Sequence, residues 1–260
     1  MEIVSTRLMG GLGNMMFQIA TAYSLSLRDS KEFVCDIRDM MIPHKPYSNY
    51  TTNIFRKINF SENLNNFQHM GEGGFHYTPL PKLDGNIKLI GHFQSEKYFI
   101  DHKQEILNLF EVDETTKIKL LDVYGEILNK DTCSIHIRRG DYVGLPTHHP
   151  TQSISYYKEA IEIIGEDKHF VFFSDDIKWC EENFEFVKNK TFISNNTDYE
   201  DMYLMSMCKN NIIANSTFSW WGAWLNNNET KQVIAPLKWF GTSYSHFNTK
   251  DLYCDKWIKL

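Results

Sequence analysis

Apolar and polar positions change rhythm several times along the chain, and each change marks an element. Ile3 to Leu8 reads as a strand, and Gly10-Gly11-Leu12-Gly13-Asn14 follows it. Met15, Met16, Ile19, Ala20, Tyr23 and Leu27 then recur at helical spacing. Phe33-Val34-Cys35-Asp36-Ile37 predicts a second strand. Between 40 and 85, Pro43, Pro46, Pro79, Pro81, Gly71, Gly73, Gly74 and many asparagines predict loops with at most one short helix. Asn86 to Gly91 predicts a strand that runs into His92-Phe93-Gln94-Ser95-Glu96-Lys97-Tyr98-Phe99. That mixture of rings and polar groups suits a sugar, and equally suits a packed helix start capped by Ser95. Ile106, Leu107 and Phe110, then Ile118, Leu121 and Ile127, mark helices that close the first half.

After residue 132 the alternation becomes regular. Strands are predicted over 133–138, Phe170 to Phe173, Thr191 to Ser194, Asn211 to Ala214 and Gln232 to Pro236, the last of them. Helices fall between them: Tyr156 to Ile164, a segment with Trp179, Cys180 and Phe184, then 199–208 and 217–226. Strands separated by helices imply a parallel, doubly wound α/β sheet. The domains expected are 1–128 and 129–260, with the last helix free to pack back on the first. No internal repeat and no low-complexity tract interrupts the pattern.

Composition narrows the class. A formal net charge of -6 argues against nucleic acid as a partner. Cys35, Cys133, Cys180, Cys208 and Cys254 are odd in number and lack CxxC spacing, which predicts reduced thiols rather than a disulfide frame or zinc site. No apolar run reaches 18 residues, so no membrane-spanning segment is expected. Met1-Glu2-Ile3-Val4 leads straight into a strand without a signal-peptide layout. The expected location is the cytoplasm, with peripheral membrane contact left open.

Candidate chemistry sits where strands end. Ser134-Ile135-His136-Ile137 breaks into Arg138-Arg139-Gly140-Asp141-Tyr142, with guanidiniums at the end of a strand where open α/β sheets bind ligands. A guanidinium suits phosphate through two parallel hydrogen bonds, although an exposed turn with solvated charges fits the same residues. The glycine loop meets neither the GxGxxG nor the P-loop pattern, so it stands between a ligand loop and a steric turn. Asp175-Asp176 could bind magnesium or a ribose, or cap a helix, and capping is favoured for at least one of them. Asp201 faces the same choice; its two oxygens could instead read a guanine edge. In Asn215-Ser216-Thr217-Phe218-Ser219-Trp220-Trp221-Gly222-Ala223-Trp224, Ser216 is a fitting N-cap and the helix start an anion site. The indoles read as core, Trp221 and Trp224 sharing one face.

Taken together these segments resemble the α-1,2-fucosyltransferase family. The resemblance rests on Gly10 to Gln18, His92 to Phe99, His136 to Tyr142, Phe173 to Asp176 and Asn215 to Leu225, which occur in family order across most of the chain. Met15 departs from it, standing where the family more often shows glutamine. The resemblance implies a GT-B-type fold, two Rossmann-like doubly wound halves facing a cleft, with the first half on the acceptor side. It implies GDP-fucose as donor, a galactose-terminated oligosaccharide as acceptor, and inversion; with Arg138 and the amides near Ser216 at hand and no convincing DxD pair, no metal or other cofactor is expected. By the same resemblance Arg138 grips the β-phosphate, His136 lies beside the donor and Asp201 reads guanine. Ser216 and Thr217 hold the pyrophosphate, Asn14 faces the donor across the cleft, and Asp175 is a further donor-side residue.

The general base is open among Asp141, Glu96 and His136. Asp141 is preferred, although it could simply brace an arginine, and Glu96 is also an acceptor-side candidate. Two rivals stand beside this expectation. One is another GDP-sugar or protein O-fucosyltransferase; the other is a non-catalytic glycan- or nucleotide-binding protein on the same fold.

Overall fold

The computed structural model describes residues 1–40 and 50–260. Pro43 and Pro46, in the predicted loop region, lie outside the described residues. The chain forms two compact units, Met1–Asp113 with Asn248–Cys254, and Glu114–Phe247 with Asp255–Leu260.

The first unit comprises β1 (Ile3–Thr6), α1 (Leu12–Asp29), β2 (Glu32–Phe33), β3 (Cys35–Asp36), β4 (Phe60–Ser61), β5 (Gln68–Gly71), β6 (Ile87–Ile90) and α2 (Lys103–Leu109). Its main sheet is parallel, in the order β2-β1-β6-β5. Val4, Ile87 and Leu89 are buried, as are Met16, Phe17, Ile19 and Ala20 of α1. Met15 is buried too, so the thioether occupies a core position.

Three expectations need correction here. The single strand predicted over 33–37 is two, because the chain leaves β1 after Val34 bonds to Val4 and then pairs Cys35-Asp36 with β4. The loop region holds β4 and β5; β5 buries only Met70 of its four residues, so periodicity has nothing to register. The third concerns residues 248–254, which hold no helix and belong to the first unit, where Asp251 accepts from the Tyr77 N–H at 3.0 Å and from Lys97 at 2.7 Å.

The second unit opens with α3 (Glu114–Leu128), which the sequence boundary at 128 assigned to the first half. Then follow β7 (Thr132–Ile137), α4 (Ile154–Ile164), β8 (His169–Ser174), α5 (Ile177–Asn183), β9 (Lys190–Phe192), α6 (Asp198–Met207), β10 (Asn210–Ile212), α7 (Thr217–Trp224), β11 (Val233–Ala235) and β12 (Ile258–Lys259). Its six strands are all parallel, in the order β12-β11-β10-β7-β8-β9. The strand predicted at 232–236 is therefore not the last, since β12 adds an edge through two residues too short to signal themselves. From β7 the chain works toward one edge and from β10 toward the other. The carboxyl ends of these two neighbours thus form the topological switch point, where doubly wound sheets bind ligands.

The core explains why β7 is central. All six of its residues are buried, and Cys133, Ile135 and Ile137 pack with Tyr157, Ala160, Ile161 and Ile164 of α4. Those α4 positions recur at helical spacing, and Ser153 starts the helix by accepting from the Tyr156 N–H at 3.2 Å. Beneath the sheet, Asn211 donates to Ser134 at 2.7 Å and accepts from Asn226 at 2.8 Å, so this buried polar network is paired. All five cysteines are free thiols. No helix among the described residues is long and apolar enough to cross a membrane.

Candidate active site

Strand β7 delivers Arg138 to the switch point. Its guanidinium lies between two carboxylates, 2.6 Å from Asp141 Oδ1 and 2.9 Å from Asp175 Oδ2. Asp175 also accepts from the Arg139 backbone N–H at 2.8 Å, so it holds both the side chain and the turn. Position 140 must be glycine for this approach: a Cβ there would stand 2.6 Å from Asp175 Oδ2. Arg139 takes another direction, lying 3.8 Å over the Trp179 ring and 3.0 Å from Asp176. Asp176 caps α5 by accepting from the Trp179 N–H at 3.2 Å, and the Arg139 hydrogen bond holds its carboxyl below the usual range. Capping is thus the role of Asp176, whereas Asp175 orients Arg138.

The loop after β10 supplies the second side of the site. Ser216 caps α7, accepting from the Phe218 N–H at 3.3 Å. A hydroxyl has one donor and two acceptor sites, so capping leaves the Ser216 proton available to an anion. Thr217 is half-buried in the first turn, where the helix dipole favours negative charge. Trp220, Trp221 and Trp224 are all buried and pack on one another, and Trp220 also meets Trp257. Two of the three share the predicted face; the third is core as well.

His136 links the two loops. It is 5% exposed, its ring lies 5.4 Å from Phe218, and its carbonyl accepts from Tyr157 at 3.1 Å. Burial, aided by Arg138, pushes its imidazole down to about 3, so it is neutral at ordinary pH. Tyr142 ties the loops further, donating to the Asn215 carbonyl at 3.0 Å and stacking on His149 at 5.0 Å. Sequence reasoning included Tyr142 and Asn215 in motifs without assigning them roles and passed over His149; the His148-His149-Pro150 run was the available signal.

Asp201 sits in the first turn of α6, the helix that follows edge strand β9. Burial raises its carboxyl to about 6, although Asn196 donates to it at 3.0 Å. Helix α6 takes its cap from Thr197 and Glu200, which leaves Asp201 free of that duty.

The corresponding edge of the first unit is built from amides. Gln94 donates to Asn14 Oδ1 at 3.0 Å, joining the loops after β1 and β6. Gln18, fully buried, clamps the glycine loop by bonding the Met9 N–H at 2.9 Å and its carbonyl at 3.3 Å. Gly10 has φ +80, and a Cβ there would lie 2.5 Å from the Asn14 amide, so the glycine serves both turn and close approach. Glu72, which carried no sequence signal, accepts from the His92 and Phe93 N–H groups at 2.8 and 3.0 Å and holds Phe93 at φ 52. Glu96 begins a short 3-10 turn capped by Ser95, the packed alternative for this segment. A cavity of about 240 Å³ lined by Tyr23, Phe33, Lys57 and Asn108 among others contains none of the predicted site residues.

An α/β protein of parallel sheets with an arginine and a helix start at a switch point has the makings of a nucleotide-sugar site. Residues 2–260 match Glycosyl transferase family 11, and the chain belongs to that family, the α-1,2-fucosyltransferases. It is 35% identical to the O-antigen biosynthesis glycosyltransferase WbnK of Escherichia coli, over 97% of this chain and 99% of that one. It is 33% identical to an alpha-1,2-colitosyltransferase of Escherichia coli, over 100% and 99% respectively. Among solved structures, the NodZ alpha-1,6-fucosyltransferase soaked with GDP-fucose shares the fold, with TM-score 0.60, 15% identity and coverage of 86% of this chain and 92% of that one.

Proposed function

We propose that this glycosyltransferase moves L-fucose from GDP-fucose to O2 of a terminal β-galactoside, giving an α-1,2-linked product with inversion at C1. The observation that carries the reading is Arg138, set between Asp141 and Asp175 beside the Ser216-capped start of α7. The two units are taken as the halves of a GT-B-type enzyme, the second holding the donor and the first the acceptor.

In this reading the galactose O2 attacks C1 of the fucose as the bond from C1 to the β-phosphate oxygen breaks. Negative charge grows on that phosphate oxygen while the sugar ring becomes positive. Arg138, Ser216, Thr217 and the α7 dipole stabilise the departing diphosphate; one such donor is worth about 3 kcal/mol in other enzymes. Asp175 keeps the guanidinium aimed, neutral His136 borders the donor, and Asp201 accepts from guanine. Asn14 faces the donor from the first unit, and Glu96 belongs to the acceptor side. The charges of Asp175 and Asp176 already face guanidiniums, which favours catalysis without a metal ion. Undiminished turnover in EDTA is the expected result. The free thiols favour a cytoplasmic setting, with membrane contact limited to the periphery.

Asp141 has two roles open to it, base for the O2 proton or brace for Arg138. Asp141→Asn keeps a hydrogen-bond acceptor near Arg138 and removes the base. A flat loss of kcat across pH assigns the base role, and wild-type kcat assigns the brace.

A second donor has its own support. Similarity to a colitosyltransferase along the whole chain fits GDP-colitose, whose sugar is fucose without its 3-hydroxyl. Incubation with lactose and either donor, followed by linkage analysis of the product by NMR, separates the readings. Consumption of GDP-fucose with an α-1,2 linkage supports the first, and turnover confined to GDP-colitose supports the second. Absence of transfer from both donors to a panel of galactosides would defeat the proposal.

A further inference from the structure

Among the described residues of the second unit, three buried side-chain polar atoms have no hydrogen-bond partner: His136 Nδ1, His149 Nδ1 and Asn215 Oδ1. Buried polar groups are normally paired, so three orphans on one edge of one sheet call for a ligand. They are neighbours through Tyr142, which stacks on His149 at 5.0 Å and donates to the Asn215 backbone at 3.0 Å, and through Phe218, 5.4 Å from the His136 ring. The orientation of the Asn215 amide is set, since its nitrogen donates to the Pro150 and Trp239 carbonyls at 3.0 and 2.9 Å. Its 1% exposed side chain therefore presents an unpaired oxygen.

The surroundings of these atoms are aromatic. His149 lies 5.7 Å from Phe240 and 5.6 Å from Tyr244, and the Arg138 guanidinium lies 5.5 Å from the Tyr142 ring. The Tyr142–His149 pair thus lies within a sugar's length of the Arg138 guanidinium. Apolar ring faces joined to isolated polar atoms match a pyranose, with its C–H faces and hydroxyl edge. Burial lowers the pKa of both imidazoles, so each offers one donor and one acceptor nitrogen. A hydroxyl can satisfy either tautomer.

We propose that Tyr142, His149 and Asn215 form the subsite for the hexose carried on the donor's diphosphate. The proposal rests on the GDP-sugar reading above and adds residues to it. Its test compares GDP, which lacks the hexose, with GDP-fucose, in calorimetric titrations of the wild type and His149→Phe. Phenylalanine keeps a ring against Tyr142 and removes both nitrogens. GDP should bind the two proteins alike, while GDP-fucose should bind the variant about tenfold more weakly. Unchanged GDP-fucose affinity overturns the proposal, as does equal weakening of both ligands. A higher KM for the acceptor with donor affinity intact would give the subsite to the acceptor and overturn it too. Failure of the wild type to bind GDP at all would instead remove the GDP-sugar reading itself.

A second measurement needs no substitution. Carbethoxylation of half-buried His149 by diethyl pyrocarbonate, mapped by mass spectrometry, should be slowed more by GDP-fucose than by GDP. Equal protection by the two overturns the proposal.

Discussion

The two sheets carry their polar residues at the same place, beyond the carboxyl ends of central parallel strands, but with opposite chemistry. In the second unit that edge is ionic, with Arg138 and Arg139 each paired to carboxylates of the β8 loop. In the first it is mostly neutral, an amide pair of Asn14 and Gln94 beside a carboxylate bound to backbone N–H groups. An ionic edge with a helix start suits a diphosphate, whose charge grows as it departs. Amides that both donate and accept suit an uncharged polyol. The contrast teaches that one kind of scaffold can carry opposite chemistry on the loops at the same edge of its sheet.

The contrast can be broken by substitution, and the largest effect belongs to Arg138. Arg138→Ala should lower kcat/KM about a thousandfold and weaken GDP in parallel, because in the proposed mechanism the guanidinium stabilises the leaving group. Steady-state kinetics with a GDP titration check it, and near-normal turnover would leave the ionic edge without a catalytic role. Gly140→Ala should come next. Its Cβ must displace Asp175, so a loss of about 10- to 100-fold in activity is expected, following the usual 1–3 kcal/mol of overpacking. A smaller change is expected in the first unit, where Asn14→Ala should raise the KM for GDP-fucose about fivefold and leave GDP affinity intact. If GDP weakened as much as GDP-fucose, the division between edges would be void.

The mildest prediction concerns pH. Burial keeps the Asp201 proton to about 6, against 3.8 for an ordinary aspartate, so between those values the folded state binds more protons than the unfolded. The stability contributed by this group therefore falls as pH rises through that window. Asp201→Asn should gain on the wild type between pH 4 and 7 in denaturant melts. If the carboxylate reads guanine, GDP affinity of the wild type should also rise as pH passes 6, and that of the variant should stay flat. Parallel pH profiles would deny Asp201 both roles.

The same division governs what could be read from sequence. In the second unit, Ile135-His136-Ile137 and Phe170-Val171-Phe172-Phe173 are buried throughout, and runs of that kind announce central parallel strands. Helices between them led directly to the switch point and to Arg138 and Ser216. In the first unit, β5 buries one residue in four, so local pattern could not distinguish it from loop, and β2 and β3, two residues each, read as a single strand. Ion pairing was hidden for another reason. Asp175 reaches Arg138 across adjacent strands, and only the register of β7 on β8, with Ile137 opposite Ser174, brings them together. Helix capping by Asp176 was legible because it is local.

Asp251 has a consequence for how the molecule is made. The first unit needs it to receive both the Tyr77 N–H and Lys97, yet ribosomes add residue 251 only after the whole span 114–247 of the other unit. A nascent chain that has emerged as far as residue 113 thus carries an ammonium and an amide awaiting their carboxylate. Maturation of the first-synthesised unit is deferred until late in translation, and a fragment cut after 113 would be released in that unfinished condition.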